Sequence, residues 1–134
     1  RSDFVSLHAR LSAANRGLIG AAQVGAMPHG SYLINTARQE LVVEDAVLDA
    51  LRSGQLAGAA FDIATPSPLA ARHPLLDHPN VVVTPHIGGA TYDTLRHGGE
   101  MAAAEVARLI AGQPLVNVAN RAALEARVSS PRAA

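Results

Sequence analysis

The stretch YLINTARQELVVEDAVLDALRSGQLAGAAFD, residues 32–62, decides the fold. It opens with the apolar run Tyr32-Leu-Ile leading into Asn35 and Thr36, the pattern of a strand buried on both faces. A helix follows from about Val43 to Ser53. Glu44 and Asp45 stand at its positive N-terminal end, Val47, Leu48 and Leu51 share one face, and Gly54 closes it. Ala57-Gly-Ala-Ala-Phe-Asp62 is then a strand of small residues. Strand, helix and strand in succession predict an α/β protein with a parallel sheet.

The same alternation extends outward in both directions. Asp3-Phe-Val-Ser-Leu-His8 reads as a strand, and an irregular stretch runs from there to about Arg16. A short helix over Ile19 to Met27 is ended by Pro28 and Gly30. Beyond Asp62, a loop from Ile63 to Pro79 carries Pro66, Pro68, Pro74 and Pro79; a loop of that length is usually functional or a lid. Val81-Val-Val-Thr84 is a further strand. The longest helix is predicted from Thr91 to Ala111, with Thr91 as its cap and Asp93 in its first turn. Gly112 and Pro114 end it, and the Ala-, Arg- and Ser-rich tail after Asn120 is expected to fray.

Composition narrows the function. The chain has 134 residues, 11 basic against 11 acidic, and a net charge of zero. That length suits one modest domain. All the basic residues are Arg, and the excess of Ala, Arg, Gly, Val and Pro resembles GC-rich codon usage. A balanced charge argues against a nucleic-acid partner. Two Tyr, two Phe and no Trp leave little for base stacking. With no Cys, disulfides, thiol catalysis and Cys-based zinc sites are excluded. His73 and His78 lie five apart, too few ligands for a metal site. No stretch approaches the roughly 20 apolar residues of a membrane span, and no signal peptide is visible. The first Met is Met27, inside a patterned segment, so the start reads as that of a partial product.

Neither G-x-G-x-x-G nor G-x-x-x-x-G-K-[ST] occurs, so the usual Gly-rich phosphate turn of a nucleotide-binding α/β protein is missing. Three segments instead stand at predicted strand ends: Asn35-Thr-Ala-Arg38, Phe61-Asp62, and Thr84-Pro-His-Ile-Gly-Gly-Ala-Thr91. Ligands bind outside the carboxyl ends of the strands in open parallel sheets. An Arg, an Asp and a His converging there can bind an anionic substrate and move a proton.

These segments resemble the D-isomer-specific 2-hydroxyacid dehydrogenases, which include D-3-phosphoglycerate dehydrogenase and hydroxypyruvate reductase. Val5-Ser-Leu-His8, Arg16-Gly-Leu-Ile19, Tyr32 to Arg38, Val47-Leu-Asp-Ala-Leu-Arg-Ser-Gly54, Leu56-Ala-Gly-Ala-Ala60 and Asn80 to Thr91 carry the likeness, in order, from about residue 1 to 120. The resemblance implies a partial Rossmann-like parallel sheet, the second half of an NAD-binding domain, with a long connecting helix. Residues 1–111 would be that partial domain and its helix, and 112–134 a C-terminal return segment and flexible tail. The Gly-rich turn would belong to the preceding half, so the chain by itself is expected to bind NAD or NADP weakly or not at all.

The resemblance also implies roles. Arg38 matches the family's catalytic Arg, whose planar guanidinium grips a carboxylate with two parallel bonds and polarises the adjacent carbonyl. His86 matches the acid/base His that protonates the carbonyl oxygen as hydride arrives. Asp62 would hold the nicotinamide amide, Gly88 and Gly89 would let backbone approach the nicotinamide, and Thr36 and Ala37 would touch cofactor through backbone. The implied partner is a small 2-hydroxy or 2-oxo acid, and the full-length relatives imply a cytoplasmic homodimer without nucleic-acid or membrane partners. Without the motif, each residue has a plainer reading: a surface Arg, a turn-forming Asp, a loop His satisfied by backbone.

Three positions depart from the family pattern. Ser67 stands where a Glu usually pairs with the His and favours the imidazolium. Gln39 stands where Gly is common, and would be strained if that position needs φ > 0. Arg10 replaces a Pro beside the expected adenine site. Besides the oxidoreductase, two readings therefore stay open: a non-catalytic remnant or interaction module of the same fold, and a half-domain completed by pairing along an exposed sheet edge.

Overall fold

A computed structural model of the protein describes residues 2–62 and 73–129. It divides into two compact units, Arg1–Ala90 and Thr91–Ala134. The first holds a four-stranded sheet in the order β1 (Phe4–Leu7), β2 (Ser31–Asn35), β3 (Leu56–Phe61) and β4 (Val81–Val83). Every neighbouring pair is parallel. All four carboxyl ends, at Leu7, Asn35, Phe61 and Val83, therefore lie along one edge.

The connections carry α1 (Ala21–Gly25), α2 (Glu44–Arg52) and α3 (Pro74–Asp77). The sequence locates α2 to within a residue at each end because its signals are local. Glu44 and Asp45 occupy its first turn, Arg52 its last, and Gly54 leaves it with φ +78°. The element α3 lies inside the segment expected to be a structureless loop. Pro74 is its first helical residue, a position where a missing N–H costs nothing. The His73 imidazole accepts the Leu75 amide as its cap. A further helical turn at Ala13–Asn15 interrupts the stretch expected to be irregular.

Parallel pairing places alternate residues on opposite faces. Leu7, Leu33, Ala59 and Phe61 face one way and form a core with Val24, Val47, Leu48, Leu51 and Leu75 from the helices. The other face carries Phe4, Tyr32, Ile34, Gly58, Ala60 and Val82, which line a concavity of about 680 Å3. There Phe4 is 63% and Val82 61% exposed. Thus β2 is not buried on both faces as its apolar run suggested. Parallel strands laid down in one direction by right-handed crossovers send all their helices to the same face.

The second unit contains α4 (Tyr92–Ile110) and α5 (Arg121–Ser129). As expected, the Thr91 hydroxyl caps α4 by accepting the Thr94 amide at 3.1 Å, and Gly112 ends it with φ +65°. The Glu105 carboxylate accepts the Val116 amide at 3.0 Å and the Asn117 side-chain amide at 3.1 Å, fastening the return segment to the helix. These bonds, the Val116 amide foremost, hold its carboxyl below the ordinary value. The tail expected to fray is helical to Ser129. Its Ala, Leu, Glu and Arg are strong helix formers even without an apolar stripe.

Candidate active site

Each of the three segments singled out in the sequence leaves a different strand at the same edge. Asn35 ends β2 almost wholly buried. Its side-chain amide donates to the Arg38 carbonyl at 2.7 Å, and its oxygen accepts the Ala37 amide at 3.1 Å. This Asx-type turn places Thr36 and Arg38 at the surface and leaves Ala37 half-buried. The Arg38 guanidinium donates to the Ala37 carbonyl at 2.6 Å, its one hydrogen bond among the described residues. It keeps further N–H donors for an anion.

Gln39 corrects an expectation. It is buried, its side-chain amide donates to the Glu44 carboxylate, and it opens a helical turn over Gln39–Leu41. Its φ is not positive: among the described non-glycine residues only His86 has a positive φ. No strain arises, because the chain leaves Arg38 extended (φ −149°) and enters the turn directly.

Asp62 follows β3 and is 6% exposed. Its Oδ1 accepts the Thr84 hydroxyl at 2.6 Å and the Ile87 amide at 2.9 Å, and its Oδ2 accepts the Gly88 amide at 2.7 Å. The Thr84 hydroxyl above all, with the two amides and nearby His86, holds the carboxyl below its ordinary value against the opposing effect of burial. Three of the carboxylate's roughly four acceptor directions are used inside the protein. Asp62 is thus chiefly bound to its own chain, a role the resemblance did not suggest.

Backbone bonds join the three segments. The Asn35 carbonyl accepts the Asp62 amide at 3.1 Å, and the Asp62 carbonyl accepts the His86 amide at 2.6 Å. His86 itself is exposed, with φ 59°. That left-handed conformation is uncommon outside glycine, and where it persists the surroundings hold it. Gly88 has a cause other than ligand approach: a Cβ there would lie 2.7 Å from the Asp62 Oδ2. Gly89 faces open space, with nothing within 4 Å of such a Cβ. The exposed loop from His86 to Gly89 therefore has room for a flat ring to approach. His8 follows β1 at the same edge, its Nε2 2.8 Å from the Ser6 hydroxyl. Ser67 lies outside the described residues.

Two residues that build this site, Thr84 and Asn35, stood in the singled-out segments but were given no role of their own. Asn35 could have been found, since an Asn two residues before a strand-end turn signals an Asx bond. Thr84 could not, because its partner is 22 residues away in the chain.

Residues 1–88 match the family model described as D-isomer specific 2-hydroxyacid dehydrogenase, NAD binding domain. The chain is 36% identical over 127 residues to a glyoxylate reductase of Thermofilum pendens, covering 95% of this chain and 38% of that protein. A D-isomer specific 2-hydroxyacid dehydrogenase of Xanthobacter autotrophicus, solved with NADPH and MES, superposes with a TM-score of 0.74 at 35% identity, over 87% of this chain and 47% of that one. The holo form of Rhodotorula graminis D-mandelate dehydrogenase gives a TM-score of 0.82 at 32% identity, over 90% of this chain and 35% of that one. In each case the chain spans less than half of its relative's length. With 88 of its residues matching the family's NAD-binding model, the chain belongs to the D-isomer specific 2-hydroxyacid dehydrogenases.

Proposed function

We propose that the protein is an NAD(P)-dependent oxidoreductase acting on the CH–OH group of a D-2-hydroxyacid, and that this chain holds the part of it that meets the substrate carboxylate and the migrating proton. The observation that carries the reading is the placement of Arg38, Asp62 and His86 after adjacent parallel strands at one sheet edge. Arg38 binds the substrate carboxylate through the guanidinium donors left unused at the surface. His86 delivers a proton to the carbonyl oxygen of the oxo acid and takes it back in the reverse direction. The nicotinamide cofactor, when bound, supplies or accepts the hydride. Thr36, Ala37 and Arg38 after β2, and Asp62, His86, Gly88 and Gly89 across the neighbouring loop, would hold it. The open space over Gly89 and the remaining acceptor direction of Asp62 fit a carboxamide-bearing ring.

Residues 1–111 act in this reading as part of the dinucleotide-binding domain with its connecting helix, and 112–134 as the return segment and tail. Among the described residues no helix is long and apolar enough to cross a membrane. A homodimer in the cytoplasm, without nucleic-acid or membrane partners, completes the reading.

The test begins with the coding sequence immediately upstream, for an in-frame Gly-rich turn and substrate domain. The protein so defined is assayed with glyoxylate, hydroxypyruvate and 3-phosphohydroxypyruvate, with NADH and with NADPH. Oxidation of either cofactor by one of these acids is expected. Failure with all of them favours the second reading, a non-catalytic remnant, for which the neutral Ser67 at the usual Glu position is the specific observation. If there is turnover, Ser67→Glu is expected to raise it.

A further inference from the structure

We propose that Asp62 and Thr84 form a positioning pair for the reaction: together they clamp the loop from Thr84 to Gly88 and aim the imidazole of His86. The inference rests on the reading of His86 as the proton-transfer group, and it adds to that reading a residue, Thr84, that touches neither substrate nor cofactor in it.

The geometry is that of a clamp closed on both sides of His86. Before it, the Thr84 hydroxyl donates to Asp62 Oδ1, and the Thr84 amide donates to the Phe61 carbonyl at 2.8 Å. After it, the Ile87 and Gly88 amides donate to Oδ1 and Oδ2. At the centre, the His86 amide is shared between the Asp62 carbonyl at 2.6 Å and the Thr84 carbonyl at 2.9 Å. Pro85, between Thr84 and His86, has no N–H to place. One aspartate thus engages four successive donor-bearing positions, and the residue it encloses is the one with the left-handed backbone. A side chain on left-handed backbone leaves the chain in a direction that an extended or helical residue cannot match. Holding that φ therefore sets where the imidazole points. Gly88 completes the device, since any Cβ there would collide with Oδ2 and open the clamp.

Thr84 is the informative position because it can be changed without removing the carboxylate. Thr84→Val keeps the shape of the side chain and deletes the donor to Oδ1; Thr84→Ser keeps the donor. The isotopically labelled full-length protein, as its coding sequence defines it, is examined by NMR in three forms: unaltered, Thr84→Val and Thr84→Ser. In Thr84→Val, the Ile87 and Gly88 amides are expected to exchange with solvent about tenfold faster. The His86 amide-to-Hα coupling and the ring carbon–proton signal are expected to move with them. Thr84→Ser is expected to restore all three. Unchanged exchange, coupling and ring signal in Thr84→Val overturn the proposal. Faster exchange with an unmoved His86 also overturns it, since the bond would then be structural only. If Thr84→Val unfolds the sheet, Gly88→Ala, which pushes on Oδ2 from the exposed side, is read in the same way, and an unmoved His86 again overturns it. None of these signals needs substrate or cofactor. A protein inactive toward every oxo acid would sink the proposed function and leave this measurement to decide the clamp.

Discussion

Gly58 lies beneath the ring of Tyr32: a Cβ on Gly58 would stand 3.1 Å from two of the ring carbons. The ring is held above by Phe4, stacked with a centroid separation of 4.9 Å and an interplanar angle of 10°. On the far side the same Cβ would stand 3.0 Å from the Asn80 carbonyl oxygen, which is already bonded to the Ala59 amide. Backbone in a ladder yields less readily than a side-chain tip. Gly58→Ala is therefore expected to destabilise the protein by about 1–3 kcal/mol. The measurement is a shift of the urea midpoint, and an unshifted midpoint would show that both the Tyr32 ring and the Asn80 backbone give way.

Acid stability should report the Asp62 clamp. Its carboxyl lies below the ordinary 3.8 in the folded protein, so the unfolded chain binds its proton first as pH falls. The stabilisation is complete above that ordinary value and is lost as pH drops through the lower, folded one. Glu105 is shifted in the same direction and contributes with the same sign. Asp62→Asn keeps one oxygen but turns an NH2 toward the Gly88 amide. Urea midpoints taken across the acid range should be lower for Asp62→Asn near neutrality and should fall less steeply below the carboxylate range. Equal acid limbs in the two proteins would mean that Asp62 does not carry the dependence.

His73 joins two helices through its two ring nitrogens. Nδ1 accepts the Leu75 amide at 3.3 Å, and Nε2 lies 3.4 Å from Glu44 in the first turn of α2. The cap uses the Nδ1 lone pair, and Nε2 faces the carboxylate. His73→Ala removes both contacts and is expected to cost about 1 kcal/mol for the cap alone. His73→Asn keeps a capping oxygen and should recover most of that loss. Thermal melts of the two variants compare them directly, and equal losses would place the effect in the Glu44 contact.

Activity offers a test of Arg38 that stability does not. A lysine keeps the positive charge but cannot make two parallel bonds to a carboxylate. Where the assayed protein turns over an oxo acid as proposed, Arg38→Lys is expected to lower kcat/KM by about 100-fold, with both a higher KM and a lower kcat, because orientation and affinity are lost together. An unchanged kcat/KM would detach Arg38 from the substrate.

Sequence pattern alone located the four strands, α2 and α4, because their signals are local: an apolar run, an acidic first turn, a threonine cap, a closing glycine. It misread α3 and the tail for reasons equally local. Pro74 looked like a loop residue although proline suits the first turn of α3, and the Ala-, Arg- and Ser-rich tail was expected to fray as a terminus although its Ala, Leu, Glu and Arg are strong helix formers, helical to Ser129. It also brought Arg38, Asp62 and His86 to one edge, since parallel strands put all their carboxyl ends together.

Tertiary structure alone decided what those residues touch. The bonds from Thr84, Ile87 and Gly88 to Asp62 span 22, 25 and 26 positions. No local period encodes a partner at that distance. The left-handed backbone of His86 and the need for Gly88 follow from the same kind of long-range contact, and the one-sided cover of the sheet follows from the handedness of its crossovers. Sequence by itself determined the order of elements and the chemistry available at their ends. Folding decided that the aspartate expected to hold a ligand first holds the loop of the histidine beside it.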